Sequence, residues 1–234
     1  MSCRCYLGCI LSPSGLHSST IASISLLTGH NGAGKSSVFR CLAGLWKIPE
    51  GTIQKPGGAA GDSSLAGTVF YLPQKPYNVL GTLVDQLTYP ELGDTERVPR
   101  EQVREILDQV DLGYLIERPD VLTKEINWEE ECSLGEKQRL AIARLIWHKP
   151  EYAILDECTS AVSTAMEERL YWLLAAKGIT YITISHRPVL RSFHLKMLCI
   201  HGDKEKSYKY EDLQTRDELA THVDQGLKRH AELK

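Results

Sequence analysis

The sequence predicts an α/β fold built on a mainly parallel sheet, and three observations predict it. First, ISLLTGHNGAGKSSVFRCLAGL at 24–45 runs from a short apolar strand through a glycine-rich loop into a helix. Second, strand-like runs at 69–73, 152–155 and 179–185 alternate with segments of helical period. Third, Gln74, Asp156 and His186 each stand just past one of those runs. Parallel sheets present ligands at the carboxyl ends of their strands, so four separate segments converge on one rim.

The loop of the first segment reads G-x-x-x-x-G-K-S, with Gly29, Gly34, Lys35 and Ser36 in the fixed places. Its strand–loop–helix context makes it a P-loop, or Walker A motif. Backbone N–H groups of such a loop, and the helix N-terminus behind it, point at phosphate oxygens. The phosphate-binding candidates are Gly29, His30, Asn31, Gly32, Ala33, Gly34, Lys35, Ser36 and Ser37. Lys35 can reach the β- and γ-phosphates of ATP, and the Ser36 hydroxyl can take a Mg²⁺ position.

A chain of 234 residues with 42% hydrophobic content has enough material for one substantial core. A formal charge of −3 gives no electrostatic case for nucleic-acid binding. No apolar run approaches the ~20 residues that cross a bilayer, and MSCRCYLGCILSPSG does not read as a signal peptide. Seven cysteines without a secretory signal suggest reduced thiols. Cys3, Cys5 and Cys9 have no fourth ligand at zinc-like spacing.

In chain order, residues 1–23 form an irregular N-terminal segment whose single upstream aromatic is Tyr6. Thr52–Ile53 reads as a short strand, and the Gly/Ser-rich 55–67 as a flexible loop. Residues 82–150 read as a helical subdomain. Val103, Ile106, Leu107 and Val110 fall on one helical face, Pro99 suits that helix's first turn, and Ser133 caps a helix to about Trp147. Thr164-x-x-Glu167 reads as the capping box of a further helix with inner face Met166, Leu170, Leu173 and Leu174, stopped by Gly178. Leu195–Ile200 and Lys206–Tyr210 suit a hairpin about Gly202–Asp203, and 211–234 a solvated, charged tail helix.

The rim chemistry is coherent. Asp156 follows four mostly apolar residues in a Walker B pattern and can hold Mg²⁺. Glu157 beside it can orient or deprotonate an attacking water. Gln74 offers a neutral amide to metal or water, and His186 can donate to a γ-phosphate. The catalytic candidates are therefore Glu157, His186 and Gln74, and the metal candidates Ser36, Gln74 and Asp156.

Cys132-Ser133-Leu134-Gly135-Glu136-Lys137-Gln138-Arg139 resembles the L-S-G-G-Q/E signature of ATP-binding-cassette (ABC) nucleotide-binding domains, and Ser160–Ser163 resembles the D-loop behind Walker B. The resemblance covers about residues 24–210 in the family's order. YLPQKPY, GTLVDQLTYP, Trp128, DECTSAVS and SHRP are similar to subfamily D, the peroxisomal fatty-acid and acyl-CoA transporters with a lysosomal cobalamin-transporting relative. That resemblance implies a P-loop NTPase core with an ABC-type helical subdomain and a small, truncated N-terminal β part. It implies ATP and Mg²⁺ as cofactors, and ATP hydrolysis on the cytosolic face of a membrane that is peroxisomal. Ser133, Gly135 and Glu136 would bind the γ-phosphate held by a second cassette, a homo- or heterodimeric partner. The transmembrane domain would lie outside this chain.

Leu134 stands where the family has glycine, and an L side chain adopts glycine's φ angles only at a cost, which predicts a weakened signature side. Two alternatives stay open on sequence: a soluble or regulatory ABC ATPase, and a nucleotide-binding fragment with weak turnover.

Overall fold

The computed structural model describes residues 24–42, 46–47, 69–91, 98–203 and 207–232. Tyr6, the Cys3–Cys5–Cys9 cluster, Thr52–Ile53 and the 55–67 loop lie outside the described residues.

The central layer is a six-stranded sheet of order β2-β5-β6-β1-β7-β8. Its strands are β1 (Ser25–Gly29), β2 (Val69–Leu72), β5 (Tyr152–Asp156), β6 (Thr180–Ile184), β7 (Lys196–Ile200) and β8 (Tyr208–Asp212). The first four contacts are parallel and only β7–β8 is antiparallel. The predicted terminal hairpin is thus present, its second strand two residues later than the pattern suggested. A two-residue pair, β3 (Leu80–Gly81) with β4 (Ile126–Asn127), lies within the helical region.

Helix α1 (Lys35–Leu42) follows the P-loop. The helical region holds α2 (Leu83–Thr88), α3 (Arg100–Gln109), α4 (Trp128–Glu131) and α5 (Leu134–His148). Val103, Leu107 and Val110 of the predicted α3 face are fully buried and Ile106 nearly so. Pro99 sits at the N-cap, one residue before the first turn. Helix α5 is buried almost all round, from Leu140 through Ile146, which marks it as the pillar between sheet and helical region. Trp128 anchors α4 by donating its indole N–H to the Gly81 carbonyl at 2.8 Å.

Helix α6 (Thr164–Ala176) begins differently from its predicted box. Ser163 is the N-cap and accepts from the Met166 N–H at 3.3 Å. Glu167 is drawn under the helix instead, where it accepts from the Thr159 hydroxyl at 2.6 Å and pairs with Arg187 at 3.0 Å. Adjacent Ser163 and Thr164 offer two cap registers, and the buried ion pair selects the earlier one. The inner face rotates accordingly: Leu170, Tyr171 and Leu174 are buried, with Met166 and Leu173 only packed alongside.

The last helix, α7 (Arg216–Glu232), is charged but not wholly solvated. Leu219 and Val223 are buried with Leu195 against Ile24, Trp172 and Ala175. It therefore covers the amino ends of β1 and β7, the side of the sheet away from the P-loop. Among the described residues no helix is long and apolar enough to cross a membrane.

Candidate functional site

The carboxyl ends of β1, β2, β5 and β6 bring the predicted residues together. Gly34, at φ +100°, turns the loop into α1 in a conformation L side chains rarely adopt. Lys35 is 93% buried by the loop itself (7% relative exposure), its ammonium donating to the Gly29 carbonyl at 2.7 Å and the His30 carbonyl at 3.0 Å. It lies near enough to Asp156 to counter the rise in that carboxyl's pKa.

Glu157 is the hub. It accepts from the Gln74 amide at 3.1 Å through one oxygen and meets the His186 ring nitrogen at 3.3 Å through the other. Its backbone is left-handed, φ +46°, with its N–H donated to the Ile184 carbonyl at 3.0 Å. That turn lets Asp156 and Glu157, adjacent in sequence, project differently. Burial pushes the Asp156 carboxyl above the usual aspartate value, and Glu157 adds to the rise. The Tyr71 hydrogen bond and Lys35 oppose it.

These residues fit a magnesium-bound triphosphate. The Asp156 carboxylate lies near one buried ammonium, and burial disfavours its charge, a setting that a hard cation relieves. No cluster of three or more His, Cys, Asp or Glu among the described residues could cage a metal ion by itself. Mg²⁺ is commonly held through one or two carboxylates plus substrate phosphates, which is the donor set Ser36 and Asp156 offer.

Ser133 caps α5 reciprocally with Glu136: the Glu136 N–H reaches the Ser133 hydroxyl at 3.3 Å, and the Glu136 carboxylate takes the Ser133 N–H at 2.8 Å. Tyr114 also donates to Glu136. Gly135 packs so closely on the D-loop that a Cβ there would lie 2.9 Å from the Ala161 carbonyl oxygen. Leu134 is the first residue of α5, is 45% exposed and is absent from the positive-φ residues, so its backbone pays no left-handed cost there.

Three participants escaped the sequence reading. Tyr71 donates to Asp156 at 3.2 Å from the neighbouring strand. Gln138 joins α5 to the segments after β2 and β5. Arg187, next to His186, holds the Thr159 carbonyl and Glu167. Tyr71 stands three residues before Gln74, and Gln138 and Arg187 stand inside the signature and SHRP stretches, but nothing local to any of them assigns a role. Cys41, Cys132 and Cys158 are buried, and Cys199 is half-buried.

The fold and this rim define a P-loop nucleotide-binding protein with a signature helix. The family model described as ABC transporter matches residues 21–160. The chain belongs to the ABC transporter family. It is 49% identical over 203 residues to "ABC transporter D family member 1" of Arabidopsis thaliana, covering 85% of this chain and 14% of that protein. It is 41% identical over 191 residues to "ATP-binding cassette sub-family D member 3" of Homo sapiens, covering 80% and 28%. Within the family it therefore resembles subfamily D, and it spans well under a third of those relatives' length. Among solved structures it is similar to a chain titled "Structure of a bacterial Atm1-family ABC exporter with ATP bound", with TM-score 0.69. That match covers 90% of this chain and 37% of the other at 24% identity, and it bears on the fold alone.

Proposed function

We propose that this chain is the ATP-binding and ATP-hydrolysing cassette that powers a membrane transporter, moving fatty acids or acyl-CoA into peroxisomes from the cytosolic face. The observation that carries the reading is the Glu157 carboxylate held between Gln74 and His186, beside Asp156 and the buried Lys35. The subfamily D relatives support the transport role, and the substrate class follows from the resemblance of the sequence motifs to subfamily D. Residues 24–210 form the cassette, with its helical subdomain about 82–150. Residues 211–234 form the charged tail, and residues 1–23 precede the cassette.

Each residue has a role. The loop Gly29–Ser37 wraps the β- and γ-phosphates, and Lys35 exchanges its loop carbonyls for phosphate oxygens. Ser36, Gln74 and Asp156 would hold Mg²⁺, which when bound neutralises charge between those phosphates. Glu157 accepts a proton from the attacking water or orients it, Gln74 positions that water, and His186 donates to the γ-phosphate. Ser133, Gly135 and the N-terminal amides of α5 close on the nucleotide of a second cassette, with Glu136 holding the Ser133 cap. Transmembrane segments supplied by the rest of a longer protein or by a partner would take up the motion.

The test is Glu157→Gln. It is expected to keep ATP affinity within about threefold of wild type, lower turnover by roughly 100-fold or more, and accumulate as an ATP-dependent dimer in sedimentation. Wild-type turnover per chain should rise with protein concentration. Full turnover in a strict monomer, or an unchanged rate in the variant, would sink the reading.

A further inference from the structure

Gln138 is fully buried on α5, and its side chain meets the nucleotide rim only at the Gln74 backbone. Its amide is nonetheless fully engaged. Nε2 donates to the Gln74 carbonyl at 3.1 Å and to the Ser160 hydroxyl at 3.0 Å, and Oε1 accepts from the Ala161 N–H at 2.9 Å. The amide's orientation follows from its partners, because a carbonyl can only accept and a backbone N–H can only donate. Two donations and one acceptance are what a primary amide offers in that geometry, and no other side chain of this length supplies both.

The three partners are not core elements. Gln74 is the residue whose side chain holds Glu157, and Ser160 and Ala161 follow Glu157 in the D-loop. Gln138 itself lies three residues after Gly135, on the same face of α5, where Gly135 abuts the Ala161 carbonyl. One rigid helix therefore carries Ser133 at its tip and, a turn later, an amide tied to both segments that flank the hub.

We propose that Gln138 is a positioning residue that couples the rim to the signature end. When the Gln74 side chain leaves Glu157 for a triphosphate, the Gln74 carbonyl, the D-loop and α5 move as one unit, so that nucleotide at this rim sets the pose offered to a second cassette. This rests on the reading of the rim as an ATP site.

The experiment compares the full chain carrying E157Q with the same chain carrying E157Q and Gln138→Leu, by hydrogen exchange with and without Mg-ATP. Each protein is measured against its own nucleotide-free state, so a general loosening of the fold cancels. ATP is expected to slow exchange at 29–37 in both, with ATP affinity unchanged within about twofold. Slowing at 159–162 is expected only where Gln138 is present. In the Glu157 background, Gln138→Leu should lower kcat at least tenfold with KM within about twofold. Gln138→Glu, near-isosteric and unable to donate to the Gln74 carbonyl, should behave like the leucine variant and replaces it if that variant does not fold. Equal ATP-induced slowing at 159–162 with and without Gln138, or a kcat within twofold of wild type, overturns the coupling. Absence of ATP protection at 29–37 in the parent chain instead overturns the rim reading, and the coupling falls with it.

Discussion

At the scale of single residues, Tyr71 is the neighbour that the Asp156 carboxylate has without a cation. Its hydroxyl donates to Oδ2 at 3.2 Å, and burial with the nearby Asp156 charge pushes its own pKa up to about 12, so it stays a donor. A cation arriving at that oxygen must displace the hydrogen bond, a net cost of about 1 kcal/mol. Tyr71→Phe should therefore tighten Mg²⁺ binding in the presence of nucleotide by about threefold to fivefold, read by titrating Mg²⁺ against a fluorescent ATP analogue. An unchanged or weaker midpoint would refute this. The rim residues themselves were legible in the sequence because strand ends announce them: a polar side chain after an apolar run has few other places to go. Tyr71, Gln138 and the Arg187–Glu167 pair were not legible. Their partners lie 85, 64 and 20 residues away, and nothing local distinguishes them from ordinary polar residues.

At the scale of elements, the helical periods were legible where one face is apolar, as in α3, and less so where tertiary contacts choose between registers. The α6 cap moved by one residue because Glu167 had a buried partner, and the β3–β4 pair is too short to leave a pattern. Helix α7 was misread for a related reason: two buried side chains among many charges look like a solvated helix. Its docking depends on Gly226, where a Cβ would lie 2.2 Å from the Trp172 ring. Gly226→Val should lower stability to urea by about 1–3 kcal/mol while leaving ATP affinity unchanged. Wild-type stability in that variant would show that the helix does not rest on the indole.

At the scale of the whole molecule, the mainly parallel class could be read from alternating elements, but the order β2-β5-β6-β1-β7-β8 could not, since it is set by which faces meet. One buried base makes the assembled core sensitive to acid. His194 is fully buried, with Nδ1 against the Leu190 carbonyl at 2.6 Å and Nε2 against the Thr183 hydroxyl at 2.8 Å. Burial pulls its pKa down to about 4 from an ordinary value of 6.5. Above pH 6.5 the ring is neutral in both states and contributes no pH dependence. Below it the unfolded chain takes a proton that the folded chain refuses, at about 1.4 kcal/mol per pH unit. Roughly 3 kcal/mol is lost by pH 4. His194→Gln should remove that portion of the acid sensitivity, seen as a smaller drop in urea midpoint between pH 7 and pH 4. An equal drop would contradict the assignment.

The position of α7 has a practical consequence. Ile24, Thr180 and Leu195, at the starting ends of three strands, share a 420 Å³ cavity with this helix, whereas the nucleotide chemistry proposed here belongs to the finishing ends. The molecule thus has a working edge and a handle. A dye attached to the exposed flank of that helix, at Lys228 for instance, would ride with the sheet and report its motion from the edge opposite the proposed nucleotide site.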